Sequence, residues 1–180
     1  PPNLGPIAAE LPADDVARVM IGRHVPMAVA LELTACLKTA QHRGLITSFD
    51  ASESAILGWH RDERLGKGYR LDRDKVIARA RTEMEEFDVR PPDPFLKSAK
   101  FSGGNQQKII IAREIKSDPD LLIVGQPTRG VDIGAIEFIH KRIIQLRDEG
   151  KAVLLVSVEL DEIRSMSDRI LVMFAGRIMG

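Results

Sequence analysis

Two short apolar runs separated by a long amphipathic segment place this chain in the α/β class. Leu121-Leu122-Ile123-Val124 is wholly apolar and partly β-branched, as a strand buried on both faces of a parallel sheet should be. Ala152 to Val156 repeats that character. Between them Asp132 opens a helix from Ile133 to Glu149, with Ile136, Ile139, Ile143 and Leu146 as its apolar stripe and Gly150 as its close. Strand, helix and strand at this spacing form a parallel crossover unit. A third observation is the stretch Phe101-Ser102-Gly103-Gly104-Asn105-Gln106-Gln107-Lys108, in which two glycines behind a serine open another apolar helix.

The bulk numbers set the frame. A chain of 180 residues fits one domain of ordinary size, and 44% hydrophobic with 29% charged residues is the composition of a soluble globular protein. Formal charge balances at zero, so no basic field argues for nucleic acid. Cys36 stands alone, which excludes a disulfide framework or a cysteine metal cluster and favours a reducing cytoplasm. The longest apolar stretch, Val25 to Leu37, carries Glu32 and is too short to span a bilayer. No charged-then-apolar signal peptide opens the chain. Membrane association is expected only through a partner.

Taken in order, Pro1 to Pro12 reads as a linker, rich in Pro, Gly and Asn. Asp14 to Gly22 reads as a short helix, with acids in its first turn and Gly22 where a C-terminal cap belongs. Val25 to Ala40 has a mixed period: Val25, Met27, Val29, Leu31 and Leu33 alternate like a strand, whereas Leu33, Cys36 and Leu37 suit a helix. Ser52 to Gly58 reads as a short helix. Asp72 is the expected N-cap of a longer one, Arg73 to Phe87, with Leu71 stapled onto Val76. Its apolar face is Val76, Ile77, Ala80, Met84 and Phe87, and its Arg and Glu residues lie opposite. Pro91-Pro92-Asp93-Pro94 forces an extended link. A helix then runs from Gly104 or Asn105 to Lys116, stopped by Ser117-Asp118-Pro119. Leu160 to Met166 reads as a helix, Ile170 to Phe174 as a strand, and Arg177-Ile178 as the start of its hairpin partner.

The octamer from Phe101 carries the most chemistry. Glycines let backbone N–H groups approach a ligand with no Cβ in the way. A helix N-terminus adds unpaired donors and a partial positive charge. With the Ser102 hydroxyl they form an expected anion site, suited to a phosphate. The same residues also fit a serine-capped helix after a flexible turn.

The following residues decide between these. After Pro119-Asp120 and the apolar run come Gly125-Gln126-Pro127-Thr128-Arg129-Gly130-Val131-Asp132, a helix, a second apolar run and Ser157-Val158-Glu159. This order resembles the ATP-binding subunit of ABC transporters, and most closely the second cassette of importers for simple sugars and nucleosides. The resemblance is dense from about Arg43 to Gly180. It implies an incomplete P-loop NTPase-like fold, with a parallel sheet, helices and a helical subdomain. The implied division is 1–40 as linker and divergent segment, 41–100 as helical subdomain, and 101–180 as the C-terminal part of the ATPase core.

The resemblance also assigns roles. Ser102, Gly103, Gly104 and Asn105 would contact the γ-phosphate of ATP held, with Mg²⁺, mainly by a partner cassette. Each charge-assisted bond there is worth roughly 1.5–3 kcal/mol. Phe101 would be a packing anchor. Asp132 would lie in the loop that crosses the dimer interface, or serve as helix N-cap, or both.

Other family features are missing. No Gly-x-x-x-x-Gly-Lys-Ser/Thr phosphate loop occurs; Gly66-Lys67 is followed by Gly68. An internal deletion or an engineered fragment would both look like this, with Val25 to Leu37 partly replacing the lost strand and helix. Gln41 stands where a γ-phosphate-sensing glutamine would be but reads better as a surface residue. The strand end has Gly125 and Gln126 where Asp and Glu are usual, so Gln126 occupies the catalytic glutamate's place without its chemistry. Val158 replaces the switch histidine. Gly125 and Val158 read as finishing a strand and filling a core. The four histidines, His24, His42, His60 and His140, have no metal spacing, and His140 is expected at the surface.

Three functions follow. The first is a partial ATP-binding subunit that offers a signature face to a complete cassette and, at the inner face of the cell membrane, to a permease. Such a piece would not hydrolyse ATP alone. The second is a non-catalytic scaffold that pairs with a complete cassette or docks a permease. The third, a separate nucleotide enzyme using Ser102–Gly104 as its own phosphate loop, lacks the strand that should precede such a loop.

Overall fold

The computed structural model describes residues 18–21, 44–59, 62–67, 70–174 and 177–179. The expectations for 1–17 and for Val25 to Gln41 lie outside them. The described chain divides into two compact units. One holds 119–129 and 140–180 with the strand near residue 20; the other holds 44–118 and 130–139.

The first unit is built on a five-stranded sheet. Its strands are β1 (Arg18–Ile21), β4 (Leu121–Gly125), β5 (Ala152–Ser157), β6 (Ile170–Phe174) and β7 (Arg177–Ile178), in the order β4-β5-β1-β6-β7. β4 and β5 are the expected parallel pair, with Ile123 opposite Leu154. β5 is buried from Val153 to Ser157, with Leu154 and Leu155 fully enclosed, whereas β4, expected to be buried on both faces, alternates: Leu122 and Val124 are buried, Leu121 and Ile123 only half-buried. β6 and β7 form the expected hairpin. α5 (Leu160–Met166) buries Ile163 and Met166 in the same unit.

β1 corrects a helix expectation. Arg18–Ile21 is a strand, antiparallel to β5 on one side and to β6 on the other. The physical reason is tertiary. An isolated helix of nine residues is marginal, whereas a strand flanked on both edges can pair the backbone groups of alternate residues with each neighbour. Val19 and Ile21 are also β-branched, which suits the pleated conformation. The expected parallel sheet is therefore mixed, with β1 and β7 running against the rest.

The second unit is helical. α1 (Ala51–Ala55) is closed by a capping box: Asp50 accepts from Glu53 N, and the Glu53 carboxylate accepts from Asp50 N. A two-strand ribbon, β2 (Gly66–Lys67) with β3 (Arg70–Leu71), leads to α2 (Arg73–Glu86). Asp72 caps α2 by accepting from Asp74 N and Lys75 N. The staple does not form: Leu71 is exposed, and Val76 instead joins Ile56, Leu65 and Trp59 in one cluster. Of the expected face, Val76, Ala80, Met84 and Phe87 are buried. Glu83 turns inward as well, against the expectation for its charged face. It can do so because the Arg79 guanidinium meets it at 2.6 Å, one helical turn away, and itself lies on the Trp59 ring at 3.6 Å.

α3 (Gly103–Ile115) follows a short 3-10 helix at Ser98–Lys100. α4 (Ile133–Asp148) supplies 133–139 to this unit and 140–148 to the sheet unit. Ile139, Ile143 and Leu146 of its expected stripe are buried, with Ala135 rather than Ile136 as the first member.

Candidate functional site

The head of α3 is assembled from short-range forces. Ser102 adopts an extended conformation and caps the helix, its Oγ accepting from Asn105 N at 3.4 Å. The Gln106 side chain donates to Ser98 O and Phe101 O, both at 3.1 Å, and so holds the incoming strand of chain against the first turn. Phe101 is buried, as an anchor should be. Ser102 and Gly103 are exposed, whereas Gly104 is buried. First-turn N–H groups have no intrahelical acceptor, so this end presents donors at the surface.

The two glycines are closely approached by their neighbours. A Cβ on Gly103 would stand 3.0 Å from Gly130 O. A Cβ on Gly104 would stand 2.9 Å from Asp132 Oδ2 and 3.0 Å from Ala135 Cβ. Asp132 is thus packed beside the head of α3, and its other oxygen accepts from Ala135 N at 2.9 Å, capping α4. The structure brings Ser102, Gly103, Gly104, Asn105 and Asp132 together. The residue that sequence reasoning missed here is Arg90, whose backbone N–H donates to Asn105 Oδ1 at 2.8 Å. A contact made through a main-chain donor leaves no side-chain signal in a sequence.

The end of β4 has different chemistry. Gly125 closes the strand, and Gln126 takes a left-handed conformation with φ +50°. Its N–H donates to Val156 O at 2.8 Å, and its carbonyl accepts from Arg129 N at 3.3 Å, which makes a tight turn. No carboxylate stands on either residue. Among the described residues no group of three or more His, Cys, Asp or Glu side chains is placed to hold a metal. Val158 departs from its core expectation: it is 54% exposed, because the chain leaves β5 there for the turn into α5.

His140 departs from its surface expectation. Its Nε2 lies 3.0 Å from Glu162 Oε1, and its side chain is 20% exposed. The same oxygen accepts from Thr128 Oγ1 at 2.8 Å. The turn after β4 is thereby tied to α5 through a buried carboxylate. Helical spacing put His140 beside polar neighbours, and nothing local could reveal a partner 22 residues away.

Among the described residues no helix is long and apolar enough to cross a membrane. Near the head of α3, Asp88 is paired with Arg90 and Lys108. Hydrogen bonds from Arg90, and then from Lys108, hold its carboxyl below the usual range.

Solved structures share this fold. The chain superposes on the ATP-binding cassette MJ0796, in a dimeric post-hydrolysis state with ADP and Pi, with a TM-score of 0.63 at 23% identity. That match covers 76% of this chain and 57% of the other. A nucleotide-free ATP-binding cassette gives 0.61 at 20% identity, covering 79% and 62%. The fold is therefore that of an ABC ATPase cassette, present in part.

Sequence relatives sharpen the class. The nucleoside import ATP-binding protein NupA of Lactococcus lactis is 54% identical over 141 residues, 78% of this chain and 28% of that protein. The guanosine import ATP-binding protein NupO of Bacillus subtilis is 49% identical over 136 residues, 76% of this chain and 27% of that protein. The L-arabinose transport ATP-binding protein AraG of Geobacillus stearothermophilus is 38% identical over 159 residues, covering 87% and 30%. No family model matches the chain. The chain is a homologue of the ATP-binding proteins of sugar and nucleoside ABC importers and covers the C-terminal part of the cassette. It spans less than a third of the length of these relatives.

Proposed function

We propose that this chain acts as part of the ATP-binding subunit of a sugar or nucleoside importer, presenting Ser102, Gly103, Gly104 and Asn105 to ATP held, with Mg²⁺, by a partner cassette. The observation that carries this reading is the exposed head of α3, where a serine hydroxyl and unpaired N–H groups sit at the positive end of a 13-residue helix. These groups fit phosphate oxygens, which only accept hydrogen bonds. In such a dimer Asp132 lies beside the signature and contributes to the same face. The segment 41–100 serves as the helical subdomain toward a membrane permease, with the subunit peripheral at the cytoplasmic face.

The chain's own strand end is not equipped for hydrolysis. Glycine offers no ligand for Mg²⁺, and glutamine accepts no proton at neutral pH. Gln126 is retained only as the residue in the catalytic position. ATP chemistry in this reading is supplied by the partner.

Titration calorimetry with Mg-ATP and pairing with a complete cassette test the reading together. The chain alone is expected to show no stoichiometric ATP binding, and its association with the complete cassette is expected to require ATP. Tight binding by the isolated chain sinks the proposal. Association that ignores ATP favours the second reading, a non-catalytic scaffold, which the missing acids at Gly125 and Gln126 support.

A further inference from the structure

The hydrogen bonds around Asn105 run in one direction. Arg90 N lies 2.8 Å from the Asn105 side-chain oxygen. A backbone N–H can only donate, so the amide must turn its oxygen to Arg90. That places the amide nitrogen 2.9 Å from Ser102 Oγ, and the amide nitrogen can also only donate. The backbone N–H of Asn105 points at the same oxygen from 3.4 Å. A hydroxyl oxygen has two lone pairs, and donors engage both here. Among the described residues, no acceptor is placed for the hydroxyl proton itself.

The far end of this relay is held in place. Asp88 follows α2 in a left-handed conformation, φ +48°, which turns the chain toward α3. Lys108 is buried, and its Nζ donates to Asp88 O at 2.8 Å and to Asp88 Oδ2 at 3.3 Å. Arg90 Nε donates to Asp88 Oδ1 at 2.8 Å. The Asp88–Arg90 turn therefore grips α3 at Lys108 and at Asn105, three residues apart on one face of the helix.

We infer that Asn105, besides lying on the face presented to ATP, is a positioning residue that fixes the polarity of Ser102, making its hydroxyl an obligate donor toward an incoming anionic oxygen, with the Asp88–Arg90 turn as support. The inference rests on the function proposed above. An unrestrained serine hydroxyl can offer a lone pair as easily as its proton, and a lone pair repels a phosphate oxygen. With Asn105 in place only the proton faces outward.

Two measurements test this. In the free chain, amide hydrogen exchange at Arg90 reads the relay without any nucleotide: Asn105→Ala is expected to speed it, while unrelated amides of α3 keep their protection. Unchanged exchange at Arg90 overturns the inference. ATP-dependent pairing with a complete cassette then reads the polarity. In Asn105→Asp the carboxylate still accepts from Arg90, but it also captures the Ser102 proton, so pairing is expected to weaken about tenfold or more. Asn105→Ala frees the hydroxyl and is expected to cost only a few-fold.

Both effects should shrink in a Ser102→Ala background, because there is no hydroxyl left to orient. Charge repulsion by Asp alone would persist there, and a purely structural role would act equally with or without Ser102. Equal losses in the two backgrounds therefore overturn the inference while leaving the proposed function standing. Loss of ATP dependence in the unaltered chain defeats the proposed function, and the polarity role falls with it. Melting curves of each variant confirm that the fold is kept.

Discussion

The head of α3 and the end of β4 are both places where a cassette can meet phosphate, and in this chain they differ in kind. The helix end keeps a serine, two glycines in tight contact with their neighbours and a set of surface donors. The strand end has a glycine, a glutamine in a left-handed turn and no acid. The difference lies in the residues supplied rather than in what the fold can bury. Each unit encloses a carboxylate elsewhere, Glu83 beside Arg79 and Glu162 beside Thr128 and His140. One surface presents hydrogen-bond donors, and the other carries no carboxylate at Gly125 or Gln126.

The comparison can be broken or sharpened by substitution, from large effects to small. Leu154→Ala removes a fully enclosed side chain opposite Ile123 of β4. It is expected to cost about 2–5 kcal/mol in denaturant unfolding, and a loss under 1 kcal/mol would show that β4 does not depend on this core. Gly104→Val puts atoms where Asp132 and Ala135 already stand. An expected loss of about 1–3 kcal/mol, with weaker pairing to a complete cassette, ties the glycine to both packing and signature geometry. A neutral result would mean the two helix heads separate freely.

Ser102→Ala removes a cap whose backbone bond is long, 3.4 Å. Its stability cost is expected near the low end of capping effects, about 0.5–1 kcal/mol, whereas pairing falls much further. Equal loss in both measurements would reduce Ser102 to a cap.

Glu83 gives a pH test. Burial, opposed by Arg79, pushes its carboxyl above the usual range. The folded state then holds a proton that the unfolded state has released, so its contribution to stability is present at low pH and lost as pH rises through the folded value. Glu83→Gln does not titrate. The melting temperature of that variant relative to the unaltered chain is expected to move upward from pH about 4 to pH about 7; a downward drift would reverse the assignment. The smallest effect is expected at the strand end. Gln126→Gly relieves a left-handed φ of +50° and should change stability by no more than about 1 kcal/mol, in the favourable direction. A large loss would give the Gln126 side chain a structural role that its hydrogen bonds do not reveal.

Much of this molecule was legible because its signals are local. The Asp72 and Ser102 caps, the apolar runs of β4 and β5, the helix opened by Asp132 and the β6–β7 hairpin all depend on residues within a few positions of each other. Errors arose where distant groups intervened. Arg18–Ile21 carries a helix-like capping pattern, yet two strand edges more than 130 residues away claim its backbone. Glu83 reads as a surface charge because nothing local shows that Arg79, its partner one turn earlier, is itself covered by the Trp59 ring.

From its residues alone the chain determined that a serine and two glycines head a helix, and that neutral residues end the strand beyond it, because capping and side-chain chemistry act at short range. Only the tertiary structure decided that Arg90 orients Asn105, that Asp132 stands against Gly104, and that Glu162 joins Thr128 to His140. Those contacts join residues between 15 and 34 positions apart: a backbone donor at Arg90, a close approach at Gly104 and a buried carboxylate at Glu162. Contacts of that kind exist only once packing has brought the segments together, and no residue's local sequence encodes them.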